Sequence, residues 1–355
     1  MSELKHGYTT GTCAAAAAKA AAALLAGEEQ ADPIQVCVTL PDGETVCLPL
    51  AFARLDGDRA TAAVQKDAGD DPDVTHGSLV VATVAWRDDD RIEFTAGEGV
   101  GTVTRPGLSI PPGQPAINPT PRRMIRQAVR EVTARGVQVQ IAIPGGRELA
   151  QKTFNPRLGI QGGLSILGNS GRVRPFSHAA VQATVGCAMD VAAAGAVMFP
   201  VLVPGRIGEK AARKHFKLAP EQIVEVSNEW GYALSRLHAY AFERVLIVGH
   251  PGKLAKLADG QWQTHSARSP NPVAILARFG MDLLGRRLAE DSSTTEALMN
   301  SLDLCERSRL ANALAEKIAR AATAKIGGSP VAAVFLVNLQ GNKFGSFGDL
   351  SPWGK

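Results

Sequence analysis

The second half of this chain alternates between buried-strand and helix patterns, and this alternation restricts the possible folds most. A helical pattern from Ser177 to about Ala194 precedes a continuous apolar run, Ala196 to Val203, that is typical of a buried strand. Helix, strand, helix and strand patterns follow up to Gly249. This order predicts a parallel, doubly wound sheet. We therefore expect residues 151–355 to form a Rossmann-like α/β domain with a mostly parallel sheet and a helical segment at 270–325.

The first half has a different pattern. An alanine-rich helix over Cys13 to Ala26, with Thr12 as its N-cap, precedes a strand pattern from Ile34 to Leu40. This strand and the next are expected to form a hairpin. Further strand patterns and a helix over Thr120 to Arg135 follow. Residues 1–150 are thus expected to form an α+β two-layer domain with a hairpin-built sheet, and the whole chain is a mixed α/β protein.

Charge and hydropathy disfavour nucleic acid and membrane as partners. The chain has 38 Lys and Arg against 34 Asp and Glu, and it lacks the dense basic run of a nucleic-acid-binding surface. The longest apolar run, Ala14 to Ala26, is mostly alanine and is interrupted by Lys19, so it is too weakly hydrophobic to span a bilayer. No secretory signal pattern opens the sequence, and we expect a cytoplasmic protein.

The cysteines predict no disulfide. Their number is odd and no pair has the C-x-x-C spacing: Cys13, Cys37, Cys47, Cys187 and Cys305. With a two-residue hairpin loop, Cys37 would lie opposite Leu48 and Cys47 opposite Val38, on different faces of the hairpin. We therefore expect all five to be reduced.

A stretch rich in glycine and arginine, TFNPRLGIQGGLSILGNSGRVRPFS from Thr153 to Ser177, indicates a ligand site. Glycine lets the backbone approach a ligand closely, and arginine offers a fork of donors to carboxylates and phosphates. We expect an anionic ligand here, and a tight joint between domains is the structural alternative.

Two further motifs place polar groups in turns. GYTTGTCAAAAAKA, from residue 7, puts hydroxyls before a helix N-terminus, which favours either an anion site or simple capping and helix packing. KDAGDDPDVTHG, residues 66–77, combines Lys66 with four aspartates but lacks the distal Glu of a calcium loop. Its carboxylates could accept a proton or a ligand's hydrogen bonds, or they could be solvated turn residues.

Two more motifs point to ligands. Arg122, in PAINPTPRRMI, lies near a helix start, where the helix dipole disfavours cations; an anionic partner or solvation would resolve the conflict. VGHPGKLAKLADG begins at Val248 and puts a glycine turn at the carboxyl end of a parallel strand, where open α/β sheets bind ligands. Neither a dinucleotide fingerprint nor a Walker loop is present, and the histidines lack zinc-site spacing.

Taken together, these stretches resemble the cobalt-precorrin-5B C1-methyltransferase family (CbiD) of cobalamin biosynthesis. They occur in the family's order, together with GEGVGTVTRPGL and THS, and run from residue 7 to about 266. The chain differs from the family after Ser266, where ARSPNP replaces an acidic-basic pair, and around 227–231, where glycine is scarcer.

The resemblance implies methyl transfer from S-adenosylmethionine to C1 of cobalt-precorrin-5B, giving cobalt-precorrin-6A in anaerobic cobalamin biosynthesis. The corrinoid substrate carries many carboxylates, which the arginines and lysines of the loops would bind. Cobalt arrives with the substrate, so no protein-bound metal is expected. A homo-oligomer and transient contacts with other pathway enzymes are compatible with the sequence.

The resemblance also suggests roles for individual residues. The candidate proton acceptors are Asp67, Asp70 and Asp71. The candidates for binding the methyl donor are Gly162, Gly163, Gly168, Gly171, Gly249, His250 and Gly252. The candidates for binding the corrinoid are Tyr8, Thr9, Thr10, Thr12, Lys66, Arg122, Arg157, Arg172, Lys253 and His265. Two other classes remain as alternatives, a non-catalytic tetrapyrrole carrier and a phosphate-handling enzyme.

Overall fold

The computed structural model describes residues 4–28, 35–175, 177–286, 288 and 292–354. The chain divides into two compact units, Met1–Ser177 and His178–Lys355. The first unit extends past the predicted boundary at residue 150, because the glycine-rich stretch pairs its short strands with strands of that unit. Ile34, where the first hairpin strand is predicted to begin, and Phe176 of the glycine-rich stretch lie outside the described residues.

The first unit combines short strand pairs, a larger sheet and helices. Its strands are β1 (Gly7–Tyr8), β2 (Gln35–Thr39), β3 (Thr45–Pro49), β4 (Phe52–Asp56), β5 (Arg59–Gln65), β6 (Leu79–Trp86), β7 (Ile92–Ala96), β8 (Thr102–Val103), β9 (Val137–Ala142), β10 (Ile160–Gln161) and β11 (Arg172–Val173). Its helices are α1 (Thr10–Leu25), α2 (Pro119–Arg130) and α3 (Gly146–Ala150). The main sheet has the order β4-β5-β6-β9-β7 and is antiparallel except between β7 and β9.

Helix α1 forms the centre of the first unit's core. Ala14 to Ala18 are fully buried, and the core they share contains residues of β5, β6, β9 and α2. Alanine is the best helix former and has the smallest side chain that still packs, so α2 and the sheet can both approach this helix closely. The helix begins three residues before the predicted Cys13, because Thr9 rather than Thr12 is its N-cap.

The hairpin β2–β3 corrects the expectation for the cysteines. Cys37 lies directly opposite Cys47, and the two form a disulfide. The predicted register was wrong by one residue: Leu40 pairs with Glu44, so the loop contains three residues instead of two. Gly43 has a φ of 90°, which is typical of the last residue in a three-residue hairpin loop. The remaining cysteines, Cys13, Cys187 and Cys305, are free.

The second unit contains a mostly parallel sheet with helices on both faces. Its strands are β12 (Val201–Val203), β13 (Ile223–Glu225), β14 (Arg244–Gly249), β15 (Val331–Val337) and β16 (Lys343–Phe347). Its helices are α4 (His178–Ala194), α5 (Arg206–His215), α6 (Trp230–Arg236), α7 (Pro251–Ala258), α8 (Pro272–Leu284), α9 (Thr295–Asn300) and α10 (Leu304–Ile326). The sheet order is β13-β12-β14-β15-β16, and β16 alone runs antiparallel to its neighbour. The mixed α/β fold class is confirmed.

The order of strands creates a switch point between β12 and β14. Val201 and Val203 of β12 share a cluster with Ala211 and Ala212 of α5, whereas Leu202 belongs to the cluster that contains α6 and α7. The connection from β12 to β13 therefore uses one face of the sheet and the connection from β13 to β14 uses the other. Such a reversal opens a crevice at the carboxyl ends of the two strands.

Across the described residues, no helix combines the length and the apolar character that crossing a membrane requires.

We expect the buried face of α1 to tolerate no larger side chain. Ala16→Leu should lower the free energy of unfolding by about 2 kcal/mol, because the close-packed core must shift to admit three further carbons. The matched change Ala23→Leu, on a partly exposed position of the same helix, should alter it by less than about 0.5 kcal/mol. Urea unfolding measures both; equal losses would contradict this view of the helix.

Candidate functional sites

The segment before α1 is held between two of the predicted motifs. Tyr8 donates its backbone N–H to the carbonyl of Asp67 at 2.8 Å, and Thr9 donates to the carbonyl of Gly171 at 3.0 Å. Strand β1 pairs with β11, so that Tyr8 lies opposite Arg172. The structure thus brings together the N-terminal motif, the aspartate turn and the end of the glycine-rich stretch.

The three candidate threonines are buried, and their hydroxyls contact the glycine-rich stretch or one another. Thr12 Oγ1 donates to the carbonyl of Gly171 at 2.6 Å, and the N–H of Leu167 donates to Thr10 Oγ1 at 3.0 Å. Thr9 Oγ1 accepts the N–H of Thr12 at 3.2 Å and caps the helix. These contacts correspond to the capping alternative, since protein groups occupy the positions that an anion would take.

The aspartate turn is fastened to the N-terminal segment by Lys5. The Lys5 ammonium bonds Asp67 Oδ2 at 2.6 Å, and its backbone N–H donates to Asp70 Oδ2 at 2.6 Å. The hydrogen bond from Lys5, and to a smaller extent the one from the Gly69 N–H, holds the pKa of Asp67 below its ordinary value. Asp71 is half-buried in the same turn. The three candidate proton acceptors therefore lie in a single turn. Its contacts make the carboxylate of Asp67 a weaker base than it would be without them.

Lys66 lies beneath this turn in an ion pair. Its side chain is 1% exposed, and Nζ lies 2.8 Å from Asp73 Oδ2, while Thr75 donates both its N–H and its hydroxyl to Oδ1. Burial alone would raise the pKa of Asp73, but the bonds from Lys66 and Thr75 outweigh it and leave the pKa below its ordinary value. Lys66 therefore supports the turn from inside, and Asp73 is its counter-ion.

The glycines of the 153–177 stretch serve two different purposes. At Gly163 a Cβ would lie 2.2 Å from the carbonyl oxygen of Gly99, so only glycine allows the two backbones to touch. Gly168 and Gly171 similarly pack against side chains of the N-terminal segment and the hairpin. At Gly162 a Cβ would meet nothing within 4 Å, and glycine is needed for a φ of 84° instead. Of these four glycines, Gly162 is the one that borders open space.

Gly162 lines a cleft of about 510 Å³ in the first unit. The loop from Ala96 to Val100 forms one wall, and Arg147 and Glu148 of α3 form another. Glu98 and Arg147 put both signs of charge into the cleft. These two residues were missed in the sequence, although GEGVG was recognised as part of a motif, because nothing in the sequence places α3 beside that loop.

The candidate arginines of the first unit all have protein partners. Arg122 donates to the carbonyls of Ile117 at 2.8 Å and Pro115 at 3.1 Å, and its guanidinium lies 5.4 Å from the centre of the Phe94 ring. Burial, and to a smaller extent the charge of Arg126, lowers the pKa of Arg122. Arg157 stacks over Phe154 at 5.4 Å. Arg172 pairs with Glu44 and lies 5.7 Å from the Tyr8 ring.

In the second unit, the candidates Gly249, His250, Gly252 and Lys253 lie at the carboxyl end of β14, on one side of the switch point. His250 caps α7: its Nδ1 accepts the N–H of Gly252 at 3.0 Å, and its Nε2 donates to Glu296 Oε2 at 2.8 Å. Both ring nitrogens are therefore engaged. Gly249 ends β14, and Lys253 follows in the first turn of α7, where burial lowers its pKa and the charge of Glu225 opposes that effect.

The remaining candidate, His265, caps a short 3-10 helix over Ser266–Arg268. Its Nδ1 accepts the N–H of Ala267 at 3.3 Å, and its carbonyl accepts the hydroxyl of Ser269. The same hydroxyl accepts a bond from the Lys256 ammonium at 2.7 Å. His265 is exposed, so the structure gives it a capping position beside a buried lysine.

A further carboxylate, which was not singled out in the sequence, is the centre of a network of side-chain hydrogen bonds. Glu229 accepts bonds from His178 Nδ1 at 2.6 Å and from the amides of Gln182 and Gln263, each at 2.8 Å. Burial alone would raise the pKa of Glu229, but these bonds outweigh it and hold the pKa below its ordinary value. His178 Nε2 in turn lies 2.8 Å from a guanidinium nitrogen of Arg268.

In the part of the chain that the structure describes, no group of three or more His, Cys, Asp and Glu side chains could hold a metal ion.

We expect Lys66 to contribute far more to stability than Lys5 does. Lys66→Gln leaves the partly buried Asp73 without its counter-ion and should cost about 3 kcal/mol of unfolding free energy. Lys5→Gln breaks a pair whose side chains are 68% and 46% exposed and should cost much less, because solvent screens an exposed ion pair. Urea unfolding near neutral pH compares them, and similar costs would show that the buried pair is not structurally important.

The adjacent glycines provide a second comparison. Gly163→Ala should lower the free energy of unfolding by about 3 kcal/mol, because backbone on both sides must move. Gly162→Ala should cost about 1 kcal/mol, from its left-handed conformation alone. Thermal and urea unfolding of the two variants test the difference; a greater cost at Gly162 would contradict the packing described here.

The chain is similar in sequence to known proteins of one family. The CbiD family model matches residues 1–175. The cobalt-precorrin-5B C(1)-methyltransferase of Syntrophotalea carbinolica is 51% identical over 353 residues, which cover 99% of this chain and 100% of that protein. The protein of the same name from Klebsiella pneumoniae is 42% identical over 321 residues, covering 89% of this chain and 84% of that protein.

A crystal structure of the cobalamin biosynthesis protein CbiD from Archaeoglobus fulgidus is also similar. It has 30% sequence identity and a TM-score of 0.39, and the match covers 70% of this chain and 78% of that one. Because a relative 51% identical to it matches almost its entire length, the chain belongs to the cobalt-precorrin-5B C(1)-methyltransferase (CbiD) family.

Proposed function

We propose that this chain transfers a methyl group from S-adenosylmethionine to C1 of cobalt-precorrin-5B, giving cobalt-precorrin-6A in cobalamin biosynthesis. The observation that carries the proposal is the identity of 51% to a protein of that name over the full length of both chains. The relative therefore matches both structural units, each with its own candidate site. Cobalt enters as part of the substrate.

The chemistry of the residues at each of the two candidate sites suggests which ligand that site binds. The sulfonium of S-adenosylmethionine supplies an activated methyl group, so the protein mainly has to align two ligands. In the first unit, the cleft at Gly162, a residue that the sequence assigned to the methyl donor, offers the carboxylates of a corrinoid one cation, Arg147, beside the acidic Glu98 and Glu148. In the second unit, the crevice at Gly249 is the place where sheets of this topology bind nucleosides.

The proton released from the corrinoid needs an acceptor. We retain Asp67, Asp70 and Asp71 for this role, because the turn holds all three carboxylates within a short segment beside β1. Asp67 is fixed by Lys5 and Gly69, which favours its ionised form and orients it. Lys66 and Asp73 stabilise the turn from inside, so they would affect the reaction by positioning the aspartates of the turn.

We also propose a cytoplasmic location, where the intermediates of a biosynthetic pathway are made and consumed.

The experiment is a single-turnover assay with methyl-labelled S-adenosylmethionine and cobalt-precorrin-5B made by upstream enzymes. We expect labelled corrinoid and an equal amount of S-adenosylhomocysteine. Asp→Asn at the proton acceptor should lower the rate by about 100-fold while donor binding is retained. Asp56→Asn, on exposed β4, is the control and should retain full activity.

Corrinoid binding without methyl transfer would instead indicate a carrier. Full turnover by all three variants, Asp67→Asn, Asp70→Asn and Asp71→Asn, would exclude the aspartate turn as the source of the base.

A further inference from the structure

Glu225, which the sequence did not single out, ends the edge strand of the parallel sheet. It lies opposite Val203, the last residue of β12, and the N–H of Val226 donates to the carbonyl of Val203 at 2.8 Å. The chain leaves β12 through Pro204 and Gly205 and enters α5 at once. The carboxylate of Glu225 is therefore at the same edge of the sheet as the start of α5.

The turn at Gly205 leaves room beside this carboxylate. A Cβ at Gly205 would have a single neighbour, Glu225 Oε1, at 3.7 Å. On the other side of β12, Lys253 is close enough for its charge to interact with that of Glu225. An acidic group and a basic group thus border the carboxyl end of β12, which is one side of the switch point. Ser227, two residues after Glu225, has an uncommon φ of 54°, a conformation that often accompanies functional sites.

The spacing along the chain is also informative. In nucleotide-binding βαβ units, the glycine turn after the first strand is followed about 20 residues later by an acidic residue after the second strand, and this residue bonds the ribose. Gly205 and Glu225 have this spacing and these positions on β12 and β13. Gly208 follows three residues after Gly205, as the last glycine of the dinucleotide fingerprint does, but Val203 stands where the first glycine of that fingerprint would be. The turn therefore keeps only part of the fingerprint, and a nucleoside without phosphates does not require the rest.

We propose that Glu225 binds the ribose hydroxyls of the adenosyl group, with the backbone of Gly205 beneath the sugar. The inference rests on the proposed function and locates the binding site of its methyl donor. The ionised carboxylate accepts hydrogen bonds from both hydroxyls, and bonds to a charged acceptor are the stronger kind. His250, with both ring nitrogens engaged by Gly252 and Glu296, shapes the α7 side of the crevice.

Binding of S-adenosylhomocysteine, measured by calorimetry on the full chain, tests the proposal without turnover. Glu225→Gln should weaken binding at least tenfold, because the amide offers one acceptor oxygen and no charge. Glu243→Gln, an exposed change beside the amino end of β14, is the matched control and should leave affinity unchanged. Circular dichroism and thermal unfolding verify that both variants are folded.

A second probe requires no variant. The analogue of S-adenosylhomocysteine without the ribose 2′-hydroxyl should bind the unaltered chain about tenfold more weakly, and Glu225→Gln should reduce this preference. Equal binding of both probes, or unchanged affinity of a folded Glu225→Gln variant, would overturn the assignment of Glu225 and leave the proposed function intact. Failure of the unaltered chain to bind S-adenosylhomocysteine would overturn both.

Discussion

The first unit depends on hydrogen bonds at the start of helix α1. This helix is buried along most of its length, and a buried helix end needs partners for its free N–H groups. The carbonyl of Leu167 accepts the N–H of Gly11 at 3.1 Å, and that of Gly171 accepts the N–H of Thr9 and the hydroxyl of Thr12. A loop with the appearance of a ligand-binding segment is therefore part of the protein's own core.

This arrangement explains why the sequence was informative about the fold and less informative about the site. Alternation of apolar and helical segments predicted the parallel sheet, because each strand is buried on both faces. The hairpin register was missed by one residue, since loop length depends on the conformation of Gly43 and not on its identity. The two-residue loop and the three-residue loop both favour glycine.

Glycine content likewise cannot show which glycines border open space. Gly162 and Gly163 are neighbours in the chain, yet one lines a cleft and the other touches backbone. Glu225 was missed for a related reason: the sequence has no full dinucleotide fingerprint, and the proximity of Gly205 to Glu225 across two adjacent strands is visible only in the fold. Strand order, which reveals such a pair, follows from tertiary structure.

The contacts of α1 also affect how the protein forms. Thr12 and its partner Gly171 are separated by 159 residues, and Thr10 and Leu167 by 157. The hydrogen bonds that α1 makes with Leu167 and Gly171 can therefore form only after almost the whole first unit has been synthesised. Long separations of this kind slow folding, because a large loop must close before the contact contributes. Completion of the first unit's core therefore depends on a long-range step, the closure of a loop of about 157 residues between the start of α1 and the glycine-rich stretch.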